Sequence, residues 1–122
     1  MNKTVKLPAL GIDHGEKWLG LAASDQSGDF VWAIGDIQVE KSLERISEFI
    51  EERSVKCIVL GYPLMLDGSP GEQCRKVEMF KTTLGIFNLP VFFQDERLSN
   101  RSKLSHSAAA VEILERWLLG RR

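Results

Sequence analysis

The segment with the clearest potential for chemistry is 10–25, where an acidic side chain ends an apolar run. The run reaches Asp13, a polar corner with Gly15 follows, and apolar residues resume at Trp18. Two apolar runs joined by a short glycine-containing turn predict a β-hairpin. Asp13 then lies at a strand end, where its carboxylate could hold a divalent cation that bridges to phosphate oxygens. The alternative is that Asp13 and Gly15 are ordinary turn residues.

A second acidic candidate, Glu96, follows a short apolar segment near the end of the chain. In open α/β sheets, ligands gather at the strand ends near a switch in strand order. Asp13 and Glu96 are both predicted near strand ends, although their positions in the sequence do not prove that they meet. The alternative for Glu96 is an exposed acid that pairs with Arg97 or Arg101.

Hydrophobic periodicity predicts the elements that position these residues. Three apolar segments joined by short turns indicate an antiparallel meander. Further along, helical spacing of apolar residues predicts three helices, and continuous apolar runs predict two buried strands. The predicted segments are 41–53, 70–84 and 105–119 for the helices, and 55–60 and 90–94 for the strands. Ser42 is the expected N-cap of the first helix, and Ser69, Pro70 and Glu72 are expected to start the second.

The element order β-β-β-α-β-α-β-α predicts the fold class. It indicates one α/β domain over residues 1–122, because the sequence contains no repeat and no linker that would divide it. Three antiparallel strands followed by βαβαβ form a five-stranded mixed sheet with flanking helices.

Composition restricts the class of protein further. The chain is 43% hydrophobic and 27% charged with a net charge of −1, which argues against a strong sequence-independent nucleic-acid binder. The charge is uneven, however, because residues 97–122 contain six basic and two acidic residues and so carry +4. This segment could meet phosphates, or it could simply be a solvated helix face and tail.

No apolar run approaches the roughly 20 residues of a membrane span, and the N-terminal apolar stretch is too short for a secretory signal. Cys57 and Cys74 are expected to be buried, reduced thiols, which fits a cytoplasmic protein.

Four motifs together resemble the YqgF family, also called RuvX, of the ribonuclease H-like superfamily. GIDHGEKWLGLAASD resembles the opening motif of the family, and GYPLMLDGSPGEQ resembles its G-x-P-x-x-x-D-G loop. DERLS resembles the DERLT motif, and HSAAAVEIL resembles the D-x-x-A-A-x-x-I-L helix. The resemblance covers essentially the whole chain. It implies a ribonuclease H-like fold and a nuclease that acts on pre-ribosomal RNA or Holliday junctions.

The resemblance also implies a site of three carboxylates that binds Mg²⁺ or Mn²⁺. Asp13 and Glu96 match two of these positions, whereas the third, an Asp that opens the last helix, is His106 here. The implied mechanism is phosphodiester hydrolysis in which Asp13 bridges two metal ions and Glu96 binds one. The connection from Glu96 to His106 is shorter than is usual in the family. Trp18 stands where the family commonly has a basic residue.

Three basic residues near these motifs, Lys17, Arg97 and Arg101, are the expected phosphate contacts, and plain solvation is the alternative for each. His106 has three possible roles. It could bind Mn²⁺, which accepts imidazole better than Mg²⁺ does; it could act as a general base; or it could be a helix-start residue with no ligand. With the last role, the site would have lost one ligand and would bind metal more weakly.

The function predicted first is a metal-dependent nuclease that processes the 5′ end of pre-16S ribosomal RNA. The alternatives are a Holliday junction resolvase and a nucleic-acid-binding relative that has lost catalysis because of His106. A phosphotransferase is disfavoured, because the sugar kinases with a similar D-x-G corner need two large domains around ATP. The expected partner is RNA or branched DNA, and the protein could be a monomer or a homodimer.

Overall fold

The structure is a computed structural model, and it describes residues 6–96 and 105–121. These residues form five strands and three helices in the predicted order. The strands are β1 (Ala9–His14), β2 (Trp18–Ser24), β3 (Val31–Gln38), β4 (Cys57–Tyr62) and β5 (Val91–Asp95). The helices are α1 (Ser42–Arg53), α2 (Glu72–Leu84) and α3 (His106–Leu119).

The five strands form one mixed sheet in the order β3-β2-β1-β4-β5. β3, β2 and β1 are antiparallel, whereas β1, β4 and β5 run parallel to one another. The predicted meander and βαβαβ unit are therefore both confirmed. The change of direction places the carboxyl ends of β1, β4 and β5 at one edge of the sheet, beside the turn between β1 and β2.

Successive side chains on a strand point to opposite faces of the sheet, so the core has two parts, one on each face. Leu10 and Ile12 of β1 belong to the cluster that packs against α1 and α2. Ala9 belongs to the opposite cluster, where α3 covers the sheet with Ala110 and Leu114. Asp13 is four residues after Ala9 on the same strand, and residues an even number apart share a face. The Asp13 side chain therefore faces the α3 side.

Close packing of α3 depends on small residues in the strands beneath it. A Cβ at Gly11 would lie 3.0 Å from the carbonyl oxygen of Ala110 and 3.0 Å from Cβ of Leu114. A Cβ at Gly20 would overlap the backbone of His106. These contacts bring the first turn of α3 against β2, next to the end of β1.

Both predicted serine caps are wrong. Ser42 is the first residue of α1, and Lys41 is at the N-cap position. A short 3₁₀ turn precedes the helix, and the Ser42 hydroxyl donates to the Val39 carbonyl at 2.7 Å. Ser69 instead bonds to Asp67 through its amide (2.9 Å) and its hydroxyl (2.6 Å). The chain then stays extended at Gly71, so α2 begins only at Glu72.

Both cysteines are buried and free, as expected. Burial raises the pKa of the Cys57 thiol to about 11, because a thiolate is poorly solvated in an apolar environment. Within the described residues, no helix is long and apolar enough to cross a bilayer.

Candidate active site

Asp13 is the penultimate residue of β1 and pairs with Gly20 of β2. Its residue surface is only 2% exposed, which is unusual for a carboxylate and requires a compensating partner. One partner is His106, the first residue of α3, whose Nδ1 lies 2.8 Å from Oδ2 of Asp13. The structure therefore brings together two of the three predicted site residues.

Two hydrogen bonds hold the first turn of α3 in place above the sheet. The Ser105 hydroxyl is the N-cap and accepts from the Ala108 amide at 3.1 Å, as expected for a helix start. The Ser107 amide donates to Oδ1 of Asp36 at 2.7 Å. Asp36 lies on β3 opposite Gly20, so the helix is tied across β2 to the edge strand. This anchoring sets the position from which His106 reaches Asp13.

Glu96 immediately follows β5 and is 5% exposed. Its amide donates to the carbonyl of Tyr62 at 3.1 Å, which extends the pairing of β4 with β5 by one residue. Its side chain crosses β4, because a Cβ at Gly61 would lie 2.6 Å from Cδ of Glu96. The same point lies 2.6 Å from Cδ1 of Ile113 in α3. The alternative of an exposed Glu96 is therefore wrong.

Asp13 and Glu96 lie on the same face of the sheet at the same edge. β1 and β4 are neighbours whose register ends at Ile12 opposite Leu60, so Asp13 and Gly61 are the next residues on the two strands. The Glu96 carboxyl group lies over Gly61, and adjacent strands are about 4.8 Å apart. Asp13 therefore lies on the strand next to the residue that the Glu96 carboxyl group covers. Because Gly61 has no side chain, Glu96 can occupy this position.

This donor set fits a divalent cation in part. Carboxylate oxygens are the preferred ligands of Mg²⁺ and Mn²⁺, and Mg²⁺ sites often use one or two carboxylates together with substrate phosphates. Over residues 6–96 and 105–121, however, no three His, Cys, Asp or Glu side chains are grouped as a metal ligand set. Asp13 and Glu96 could hold one cation only if water or substrate oxygens completed its coordination.

Of the three predicted phosphate contacts, the structure describes Lys17. Lys17 is exposed in the turn between β1 and β2, and its carbonyl accepts from the Val39 amide at 2.9 Å. Arg97 and Arg101 lie outside the described residues.

Sequence reasoning missed Asp36 as part of the site. Nothing in the local sequence marks Asp36 as functional, because its role depends on the register of β3 with β2. That register shifts between Leu21 and Ala22, and such an irregularity cannot be counted from the sequence. The pairing of Gly20 with Asp13 could have been found, since both flank the predicted hairpin turn.

The phenol of Tyr62 also lies near the site, on the face of the sheet opposite Glu96. Its hydroxyl donates to Glu78 of α2, and this hydrogen bond, together with burial, raises the pKa of Tyr62 above its usual range. Tyr62 is therefore a neutral phenol that ties the end of β4 to α2.

The fold and the two buried carboxyl groups define an α/β protein of the ribonuclease H-like class. The chain belongs to the RuvX family, whose model is described as Holliday junction resolvase and matches residues 8–103. A protein of Trichormus variabilis named "Putative pre-16S rRNA nuclease" is 32% identical, over 98% of this chain and 92% of its own. A protein of Dictyoglomus turgidum with the same name is 36% identical, over 89% and 92%.

A solved structure shares the fold. It is RuvC of T. thermophilus in complex with a Holliday junction substrate, with a TM-score of 0.60 and 16% sequence identity. The match covers 94% of this chain and 96% of that chain. The predicted ribonuclease H-like architecture and the family resemblance are both confirmed.

Proposed function

We propose that this protein is a divalent-metal-dependent nuclease that hydrolyses phosphodiester bonds and processes the 5′ end of pre-16S ribosomal RNA. The observation that carries the proposal is the convergence of Asp13 and Glu96 on one face at the carboxyl edge of the parallel strands. Two relatives that match nearly the whole chain carry the name of a pre-16S rRNA nuclease. Membership of the RuvX family supports the same chemistry.

The two carboxyl groups have the chemistry to hold Mg²⁺ or Mn²⁺ beside a substrate phosphate. When bound there, the cation would stabilise the negative charge that develops on the phosphoryl oxygens. Burial of Asp13 and Glu96 strengthens their attraction for a cation, since solvent screens them little. Lys17 would add a positive charge on the exposed side of the site.

His106 has a geometry that suits a positioning role and proton transfer. An N–H at Nδ1 donates to Asp13, which fixes one carboxylate oxygen and the plane of the imidazole ring. In its neutral form, an imidazole that donates from Nδ1 can accept a proton at Nε2, as a general base does. This arrangement argues against a helix-start residue without a partner.

Resolution of Holliday junctions is the second candidate function. The description of the matching family model and the junction-bound RuvC neighbour favour it. A third candidate, nucleic-acid binding without catalysis, is favoured by His106, which already occupies Oδ2 of Asp13. A cytoplasmic location and the choice between monomer and homodimer stay predictions.

A cleavage assay separates these functions. The purified protein is incubated with an RNA that spans the 5′ end of 16S rRNA and its precursor sequence, or with a four-way DNA junction, in Mg²⁺, Mn²⁺ or EDTA. We expect metal-dependent cleavage of the RNA and a loss of at least roughly 100-fold in Asp13→Asn, because several kcal/mol of charge stabilisation would be removed.

The matched control for this assay is Glu44→Gln, which removes one exposed carboxylate from α1 on the opposite side of the sheet. It should cleave like the parent protein. Cleavage of the junction alone would select the resolvase. Binding of either probe without turnover in any metal would select the binding protein and contradict the proposed nuclease.

A further inference from the structure

Trp18 is an exposed aromatic residue at the edge of the candidate active site. It is the first residue of β2, pairs with Gln38 of β3 and is 43% exposed. Tryptophan is usually buried to a large extent, so a half-exposed indole beside a polar site calls for an explanation.

The indole lies on the same face of the sheet as Asp13. Side chains two residues apart on a strand share a face, and a Cβ at Gly20 would point into the backbone of His106. Trp18 therefore also faces the α3 side. The helix begins at His106 and passes Gly11 at Ala110, so it runs from the site toward the opposite edge of the sheet. Its direction leaves Trp18 beyond the first turn.

Trp18 and His106 flank the same glycine. The Gly15 amide donates to the carbonyl of Trp18 at 3.0 Å. A Cβ at Gly15 would lie 2.6 Å from that carbonyl oxygen and 2.8 Å from Cε1 of His106. The exposed Lys17 directly precedes Trp18. Trp18 and the proposed catalytic residue His106 thus lie on either side of one glycine.

We propose that Trp18 stacks against an unpaired nucleobase next to the phosphodiester that Asp13 and Glu96 address. The inference rests on the proposed function and specifies its substrate: a strand with at least one unstacked base at the cleavage site. Aromatic side chains bind such bases through their faces, which are hidden within a continuous duplex.

Intrinsic fluorescence provides a direct test. The protein is titrated with a 12-nucleotide single-stranded RNA, and separately with the blunt duplex of the same sequence, in EDTA so that no cleavage occurs. Stacking on Trp18 should quench fluorescence with the single strand and much less with the duplex. Trp18→Phe should lose the quench but keep most of the affinity, because phenylalanine also stacks.

Two leucine variants separate stacking from general damage. Trp18→Leu should bind the single strand roughly 10- to 100-fold more weakly. The control is Trp32→Leu, since Trp32 is similarly exposed (39%) but packs beside Arg53 of α1 on the opposite face; its affinity should not change. Both variants should unfold at the same urea concentration as the parent protein, within about 1 M.

Each other outcome has a defined meaning. Unchanged binding by Trp18→Leu, equal weakening by Trp32→Leu, or equal quenching by the duplex would overturn the stacking proposal and leave the nuclease proposal intact. Failure of the parent protein to bind either RNA probe or a four-way junction would overturn both.

Discussion

Nδ1 of His106 lies 2.8 Å from Oδ2 of Asp13, although 93 positions separate the two residues in the chain. The contact joins the end of the first strand to the start of the last helix. It exists because Gly20 lets the helix approach β2 and because Asp36 holds the Ser107 amide. The candidate site is therefore a property of the packed fold, and single substitutions at these supports should affect it.

Replacing His106 by Asp should increase metal affinity. The variant would place a second carboxylate beside Asp13, so the two like charges should lower the melting temperature in EDTA by several degrees. Addition of Mg²⁺ should restore stability, because the cation neutralises the pair. We also expect faster Mg²⁺-dependent cleavage than in the parent protein. Melting curves with and without Mg²⁺ check the first two effects, and unchanged Mg²⁺ dependence would count against this account.

Removing the Asp36 carboxylate should loosen the first turn of α3. Asp36→Ala leaves the Ser107 amide without its acceptor, and the loss should lower the free energy of unfolding by about 1 kcal/mol. Asp36→Asn should recover part of this, since its amide oxygen can still accept. Urea unfolding at pH 7 measures both variants. If alanine and asparagine behave identically, the hydrogen bond is not what anchors the helix.

A methyl group at Gly20 should displace the helix from the sheet. Gly20→Ala places a Cβ where the His106 backbone lies, and relief of this overlap should cost about 1–3 kcal/mol or more. The matched control is Gly85→Ala, because a Cβ at Gly85 would meet no atom beyond its own local backbone within 4 Å and the residue has a right-handed helical backbone. That variant should be neutral or slightly stabilised. Equal unfolding free energies for the two variants would refute the packing argument.

The turn between β2 and β3 should give stability that depends on acid pH. Desolvation alone would raise the pKa of Asp25. Hydrogen bonds to its carboxylate outweigh this effect and lower the pKa; they come from the Ser27 hydroxyl and from the amides of Phe30, Gly28 and Asp29. A lowered folded-state pKa means that the stabilisation is present above the unfolded value of 3.8 and is lost as the pH falls through the folded value.

The difference between the parent protein and Asp25→Asn isolates this effect from other carboxyl groups. Melting temperatures measured from pH 7 to pH 2.5 should converge for the two proteins below about pH 3.8. Curves that stay parallel over this range would show that Asp25 titrates normally in the folded protein.

Much of the fold could be predicted from local sequence, because alternation and helical spacing directly report which side chains are buried. The apolar residues that recur at helical spacing in α3 are all buried: Ala109, Ala110, Ile113, Leu114, Trp117 and Leu118. Helix starts were less predictable. The hydroxyls of Ser42 and Ser69 each found another local partner, Val39 and Asp67, which competes with capping.

The candidate site was predictable only in part. The motifs singled out Asp13, Glu96 and His106, but they could not show that His106 contacts Asp13 or that Glu96 crosses Gly61. Those relationships depend on strand register and on the close approach of α3. The contribution of Asp36 depends on the same register, and no local pattern encodes it.

Direct measurement of Mn²⁺ binding tests the central claim, that the fold brings Asp13 and Glu96 together to hold a divalent cation. Isothermal titration calorimetry is run on the parent protein, on Asp13→Asn and Glu96→Gln, and on the exposed control Glu44→Gln. We predict saturable binding by the parent and the control, and at least roughly 10-fold weaker binding by each site variant. Absence of binding by the parent protein at millimolar Mn²⁺, or parent-like affinity in Glu96→Gln, would contradict the account.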